Sequence, residues 1–152
     1  MSVTEARELA IRAHAGQRDR DGSFHIDHVA RIAGTVPADD PHQRVAWLHD
    51  VLEDSNLTAD DLGARLATDE LQALLLLTHD NAVEPYDDYV GRIIGARGVA
   101  GDLARAVKQA DMIDNLCRCV RDRDPALAQY GRALAALWAA PRNPSTSTPP
   151  EG

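Results

Sequence analysis

Apolar side chains recur along most of the chain at the spacing of three and four residues that marks one face of a helix. Ser2 and Glu5 have the spacing of a capping box ahead of the first such stripe. The pattern predicts helices over residues 3–14, 27–33, 41–52, 58–66, 69–77, 85–94, 102–115 and 126–140. No segment requires a strand, so we expect an all-α fold of about eight helices.

Proline and glycine mark the predicted boundaries of these helices. Asp40-Pro41 and Asp124-Pro125 each have the form of an N-cap followed by proline at the first helical position. Gly16 and Gly22 bracket a charged loop, and Gly101 is expected just before a helix. Residues 141–152 contain no apolar anchor and are predicted to be a disordered tail. We therefore expect one compact domain over residues 1–140.

Composition and charge narrow the possible functions. The chain has 152 residues, only 4% of them aromatic, which predicts an aliphatic core in a single domain. Its net charge of −8 disfavours binding to nucleic acid polymers. A small phosphorylated substrate is still compatible, because a bound divalent metal supplies local positive charge.

The sequence also bears on compartment and redox state. We expect no membrane span and no signal peptide, because the longest apolar run falls far short of about 20 residues. Cys117 and Cys119 lie two residues apart, where their side chains do not face each other on a helix. We expect them to be free thiols of a cytoplasmic protein, whose oligomeric state is left open.

Residues 48–54, with sequence LHDVLED, concentrate four groups able to bind a metal or transfer a proton. On a helix Glu53 lies one turn from His49 and Asp50, and Asp54 lies one turn from Asp50. Such crowding of carboxylates is unfavourable unless a cation or solvent relieves it. The segment therefore indicates either a metal site or an exposed acidic helix end.

Two further segments complete a possible ligand set. Asp111 lies in a largely apolar context, so it needs a metal, an arginine or a capping role. His28 lies at the start of a short predicted helix. Together, His28, His49, Asp50 and Asp111 form a mixed imidazole and carboxylate set suited to one divalent metal: Mn²⁺, Fe²⁺ or Zn²⁺.

Five segments, in order and spacing, resemble the hydrolase domain of RelA/SpoT-type guanosine tetraphosphate enzymes and their stand-alone small alarmone hydrolases. They are AHAGQR (13–18), IDH (26–28), WLHDVLEDS (47–55), YDDYV (86–90) and VKQADMIDN (107–115). These enzymes are HD-superfamily metal phosphohydrolases. The resemblance covers about residues 5–116, so we expect a hydrolase without a synthetase or regulatory domain.

The resemblance implies a helical HD-domain fold, a Mn²⁺ site and removal of the 3′-pyrophosphate of ppGpp or pppGpp. The residues that match the family's catalytic acids are Glu53 and Asp54. Those that match its substrate contacts are Arg18, Arg20, Tyr89 and Asn115.

The sequence departs from the family pattern at several places. Val29 replaces a proline after the first metal histidine, and Phe24 and His25 stand where a tyrosine is expected. The segment LCRCVR at 116–121 replaces small or apolar residues that touch the nucleotide. The remaining histidines match no ligand position and are expected to be structural or solvent-facing: His14, His25, His42 and His79.

Two other functions fit the sequence. The chain could hydrolyse a different small phosphorylated nucleotide such as NADPH, or it could be a non-catalytic helical module that keeps the metal as a structural element. The paired acids Glu53 and Asp54 favour an enzyme over the non-catalytic module, because a binding protein has no need of groups that activate water.

Overall fold

The computed structural model describes residues 1–140. Within this range the chain forms nine helices. They are α1 (Val3–Ala13), α2 (His25–Ala33), α3 (Asp40–Leu48), α4 (Val51–Asp54), α5 (Ala59–Gly63), α6 (Thr68–Leu77), α7 (Tyr86–Gly95), α8 (Gly98–Asp122) and α9 (Leu127–Ala139). Within these residues, β-pairing is limited to an isolated bridge between Arg18 and Phe24. The all-helical prediction is confirmed, and the predicted disorder of 141–152 lies outside the described residues.

The long helix α8 is the centre of the fold, and α2, α3, α6, α7 and α9 pack against it. The core between these helices is aliphatic, as the composition predicted, with Val45, Leu74 and Val107 fully buried. Burying side chains of this size stabilises the fold by about 1.5–3 kcal/mol each. None of the helices within residues 1–140 combines the length and apolar character of a membrane span.

Capping side chains fix where the first helices begin. Ser2 and Glu5 form the predicted capping box of α1, with the Ser2 N–H donating to Glu5 Oε2 at 2.6 Å. At α3 the N-cap is Asp39, one residue before the predicted Asp40, because the Asp39 carboxylate accepts the backbone N–H of His42. Asp40 therefore lies inside the first turn of α3.

The start of α8 differs from the prediction in an informative way. The helix begins at Gly98, so Gly101 lies inside it instead of before it. A Cβ atom at Gly101 would lie 2.6 Å from the carbonyl oxygen of Ala96, which is closer than atoms can approach. Gly101 is thus a close-packing residue, not a helix boundary. Further along α8, Cys117 is exposed and Cys119 is buried, and both are free.

A buried ion pair ties α3 to α6. Glu70 is 3% exposed, and its Oε1 accepts hydrogen bonds from Arg44 Nε at 2.9 Å and Nη2 at 2.7 Å. Its Oε2 accepts the backbone N–H of Ala67 at 3.0 Å. Because both carboxylate oxygens are paired, the desolvated charge is compensated. The pair holds α3 in place, and α3 leads directly into the segment that bears most of the candidate site.

Candidate metal centre and active site

A break between α3 and α4 shapes the site. The sequence predicted one continuous helix through residues 41–52, but α3 ends at Leu48 and α4 begins at Val51. In a continuous helix Ala46 O would accept the backbone N–H of residue 50. Here Ala46 O lies 2.8 Å from His49 Nδ1 and accepts the ring N–H instead. At the break the His49 ring is buried, at 3% exposure, and the Asp50 carboxylate lies beside it.

Three ligand atoms converge from three different helical segments. His28 on α2, His49 after α3 and Asp111 on α8 each offer one atom, and these atoms lie within 4.8 Å of one another. His28 Nε2 is 3.3 Å from Asp111 Oδ1. Asp50 Oδ2 adjoins this group, 3.0 Å from His49 Nε2 and 3.9 Å from His28 Nε2. The structure thus brings together all four residues of the predicted ligand set.

The histidine tautomers suit metal binding. His49 Nδ1 donates to the Ala46 carbonyl, so its Nε2 carries a lone pair. That Nε2 is buried and has no hydrogen-bond partner within residues 1–140, although it faces Asp50 Oδ2. A lone pair and a carboxylate oxygen at this distance repel each other unless a proton or a cation lies between them. The donor set therefore fits a divalent cation.

Asp114 orients His28, a role that the sequence analysis missed. Asp114 Oδ2 accepts a hydrogen bond from His28 Nδ1 at 2.7 Å. The two Asp114 oxygens also accept hydrogen bonds from Arg31, from Nε at 2.6 Å and from Nη2 at 3.1 Å. Burial alone would raise the pKa of Asp114, but His28 and Arg31 lower it. Carboxylates of this kind fix the orientation of metal-binding histidines. The spacing of Asp111 and Asp114 on one helical face was the available sequence signal.

Charged partners set the protonation of the ligand group. Burial alone would lower the pKa of His28, but Asp111 and Asp114 raise it to about 9. Burial would raise the pKa of Asp111, but Lys108 and His28 hold it below its usual value. Lys108 Nζ lies 2.8 Å from Asp111 Oδ2, and it is buried. Lys108 is a second functional candidate that the sequence analysis did not single out.

The predicted catalytic acids lie beside this group on α4. Burial raises the pKa of Glu53 to about 7, and the nearby charge of Asp50 adds to the effect. Glu53 Oε1 accepts the backbone N–H of His79 at 2.6 Å, which fixes the carboxyl group. Burial and Asp50 also raise the pKa of Asp54. Glu53 is therefore able to exchange a proton near neutral pH.

A cavity of about 300 Å³ opens onto His49, Asp50, Glu53 and Asp111. Three of the four predicted substrate contacts line it: Arg20, Tyr89 and Asn115. The Tyr89 hydroxyl donates to Leu77 O at 2.5 Å, so Tyr89 presents its ring and not a free hydroxyl.

Asn115 and Arg18 have partners within the fold. Asn115 Nδ2 donates to Asp111 Oδ1 at 2.7 Å, which orients that carboxylate. Arg18 lies apart from the cavity lining: its guanidinium stacks 4.0 Å from the Phe24 ring centroid and donates to Gly22 O. Arg20 is therefore the arginine of this loop that the fold places at the cavity.

His25 lies beside the candidate ligand group and does not face the solvent. Its side chain is 12% exposed, and its Nε2 lies 3.1 Å from Asp50 Oδ2. The reason is that α2 begins at His25, which places His25 and His28 one turn apart on the same face. His14, at 1% exposure, packs against the His25 ring with centroids 4.7 Å apart. The spacing of three between His25 and His28 was the signal for this arrangement.

The other two histidines lie outside the ligand group. His79 stacks on Tyr89 with centroids 4.4 Å apart and contributes its backbone N–H to Glu53. His42 pairs with the α3 cap, its Nδ1 lying 2.8 Å from Asp39 Oδ1. His79 therefore supports the cavity wall, and His42 is structural.

Comparisons with known proteins bear on the fold. No family model and no curated protein matches the chain. Among solved structures, the chain is similar to a metazoan ortholog of SpoT, described as hydrolyzing ppGpp and playing a role in starvation responses. The TM-score is 0.75 at 20% identity, over 91% of this chain and 86% of that one. This likeness confirms the predicted fold and agrees with the resemblance of the sequence segments.

Proposed function

We propose that this chain is a metal-dependent phosphohydrolase that removes the 3′-pyrophosphate of ppGpp or pppGpp. The convergence of His28, His49, Asp50 and Asp111 beside a cavity carries the proposal. It is supported by the fold, which is similar to that of a protein described as hydrolyzing ppGpp. We propose that the four residues hold one divalent cation, Mn²⁺ in preference to Fe²⁺ or Zn²⁺.

The chain's own residues account for the proton transfers. A bound divalent cation would supply Lewis acidity and lower the pKa of water toward neutrality. Glu53, whose pKa is raised to about 7 by burial, takes a proton from water and returns one to the leaving oxygen. The backbone N–H of His79 keeps its carboxyl group in place during both transfers. Asp54, whose side chain is 51% exposed, is the second acid of the proposed pair.

Three groups in the cavity have the chemistry to hold a phosphorylated nucleotide. Arg20 has a side chain that is 96% exposed and is paired only loosely, at 3.9 Å, with Asp124, so it is able to reach a phosphate. Lys108 lies in the cavity wall beside Asp111 and adds positive charge. Asn115 orients Asp111 and lines the same cavity, whereas Tyr89 is 2% exposed with His79 stacked on its ring.

A second candidate is hydrolysis of another phosphorylated nucleotide, such as NADPH. The observation in its favour is that the side chains next to the site differ from the family pattern and are engaged within the chain. Arg118 donates to Asp19 Oδ2 and to Asn115 Oδ1 at 2.5 Å, and Arg18 is engaged with Phe24 and Gly22. Side chains expected to meet a guanine nucleotide thus have partners within the chain.

The test combines turnover with a catalytic variant. Metal-loaded protein is expected to release pyrophosphate from ppGpp, and Glu53→Gln should lower kcat by about 100-fold or more while Mn²⁺ binding persists. Glu8→Gln is the matched control, because Glu8 is exposed on α1 and pairs only loosely with Arg12 at 4.0 Å. Assays with ppGpp, pppGpp and NADPH distinguish the substrates.

The outcomes separate the candidates. Turnover of NADPH with ppGpp untouched would replace the substrate but keep the reaction class. Mn²⁺ binding without turnover of any phosphorylated nucleotide would favour the non-catalytic module. A Glu53→Gln variant as active as the Glu8→Gln control would remove Glu53 from the proposed chemistry.

A further inference from the structure

His25 has the same arrangement of ring nitrogens as the proposed metal ligands. Its Nδ1 lies 2.9 Å from Asp19 Oδ1, just as His28 Nδ1 lies 2.7 Å from Asp114 Oδ2 and His49 Nδ1 lies 2.8 Å from Ala46 O. In the neutral ring, an oxygen acceptor that holds the Nδ1 proton leaves the lone pair on the Nε2 atom. This is the usual preparation of a metal-binding histidine.

The acceptor of His25 is itself held in place. Asp19 Oδ2 accepts a hydrogen bond from Arg118, which extends from α8 across the loop before α2. The Asp19 side chain is 13% exposed, so this ion pair is largely shielded from solvent. Arg118 and Asp19 thus fix the orientation of the His25 ring. The segment that departs from the family pattern therefore has a structural role at the site.

The Nε2 atom of His25 faces two carboxylates. It lies 3.1 Å from Asp50 Oδ2 and 3.9 Å from Asp54 Oδ2. The atom is buried and has no hydrogen-bond partner within residues 1–140. A lone pair held against two carboxylate oxygens is unfavourable unless a proton or a cation lies between them. His25, Asp50 and Asp54 each offer an atom within 4.8 Å of the others, which is a spacing that a cation can bridge.

This second group is distinct from the first but adjoins it. The first group is His28, His49 and Asp111, and Asp50 of the second group lies beside its two histidines. Asp50 Oδ2 is 3.0 Å from His49 Nε2 and 3.1 Å from His25 Nε2, so the carboxylate lies between the two sets of imidazoles. A carboxylate with two oxygens can bridge two cations, as in sites that hold two metals about 3.5–4 Å apart.

We propose that this chain binds a second divalent cation through His25, Asp50 and Asp54, with Asp50 bridging the two sites. The proposal rests on the proposed function, because it adds to the same centre. It assigns Asp54 to the second cation as a ligand, which leaves Glu53 as the proton-transfer group. The nitrogen and oxygen donors suit Mn²⁺, Fe²⁺ or Zn²⁺.

Metal stoichiometry tests the proposal directly. Metal-free full-length protein is titrated with Mn²⁺, dialysed and assayed by elemental analysis, and electron paramagnetic resonance detects magnetic coupling between adjacent Mn²⁺ ions. The wild type is expected to hold two Mn²⁺ per chain with a coupled spectrum. His25→Phe should hold one, with the spectrum of an isolated ion. His42→Phe is the matched control, because His42 also pairs with a carboxylate but lies outside the site.

A second variant guards against misfolding of His25→Phe. The Asp54 side chain is 51% exposed at the end of α4, so Asp54→Asn is expected to fold and to lose the second Mn²⁺ while keeping the first. A wild type that binds one Mn²⁺ and hydrolyses ppGpp overturns this proposal alone. Two Mn²⁺ retained in both variants also overturns it. A wild type that binds no metal overturns the proposed function as well.

Discussion

Removing the carboxylate behind His28 should weaken metal binding without unfolding the protein. Asp114 Oδ2 accepts the Nδ1 proton of His28 at 2.7 Å and is 13% exposed, so the bond is charge-assisted and shielded. In Asp114→Asn an amide oxygen can still accept this proton, but the negative charge is lost. In Asp114→Ala the ring loses both the charge and the acceptor.

The magnitude follows from the geometry. Loss of the carboxylate that orients a metal-binding histidine weakens metal binding by about 10- to 100-fold, or about 1.4–2.7 kcal/mol. Asp114→Asn is expected near the lower end, because the neutral acceptor keeps the ring in place. Asp114→Ala is expected near the upper end, because the ring is then free to rotate and Arg31 also loses its partner.

Calorimetric titration with Mn²⁺ measures this series, and urea unfolding of the metal-free proteins checks that the variants are folded. Asp87→Asn is the matched control, because Asp87 is an exposed aspartate on α7. Equal Mn²⁺ affinity in the wild type and Asp114→Ala would refute the reasoning. It would mean that the bond between His28 and Asp114 does not prepare the ligand. An equal loss of Mn²⁺ affinity in Asp87→Asn would show that the effect of the Asp114 variants is not specific to the site.

Two further predictions concern pH and packing. Mn²⁺ affinity should rise with pH, by up to about tenfold per pH unit, and level off near pH 9. The reason is that the pKa of metal-free His28 is raised to about 9, and its proton must leave before a cation binds. Affinity that is constant between pH 6 and 8.5 would contradict this. Gly101→Ala should lower the free energy of unfolding by about 1–3 kcal/mol, because its Cβ would meet Ala96 O at 2.6 Å. Gly91→Ala is the control, because the space around its Cβ on α7 is open, and it should be neutral or stabilise the protein by up to about 1 kcal/mol. Urea unfolding measures both variants. Equal unfolding free energies for the two variants would contradict the packing argument.

The helices and the residues of the candidate ligand set could be predicted from the sequence, because both predictions depend on local patterns. The capping box of Ser2 and Glu5 and the apolar periodicity act over a few residues, so the chain itself specifies where most helices form. His28, His49, Asp50 and Asp111 were identified by residue type and by their segments. The sequence led us to expect that these residues converge. The packing of α2, α3 and α8 is what brings them together.

Tertiary structure decided what the sequence alone left open. The break after Leu48 depends on the His49 ring taking the Ala46 carbonyl, a competition that periodicity does not register. The roles of Asp114 and His25 depend on contacts between residues far apart in the chain, such as Asp114 with His28 and Arg118 with Asp19. Packing also decides which atoms surround a buried nitrogen, and therefore whether its lone pair has a partner. These neighbouring atoms come from other helices.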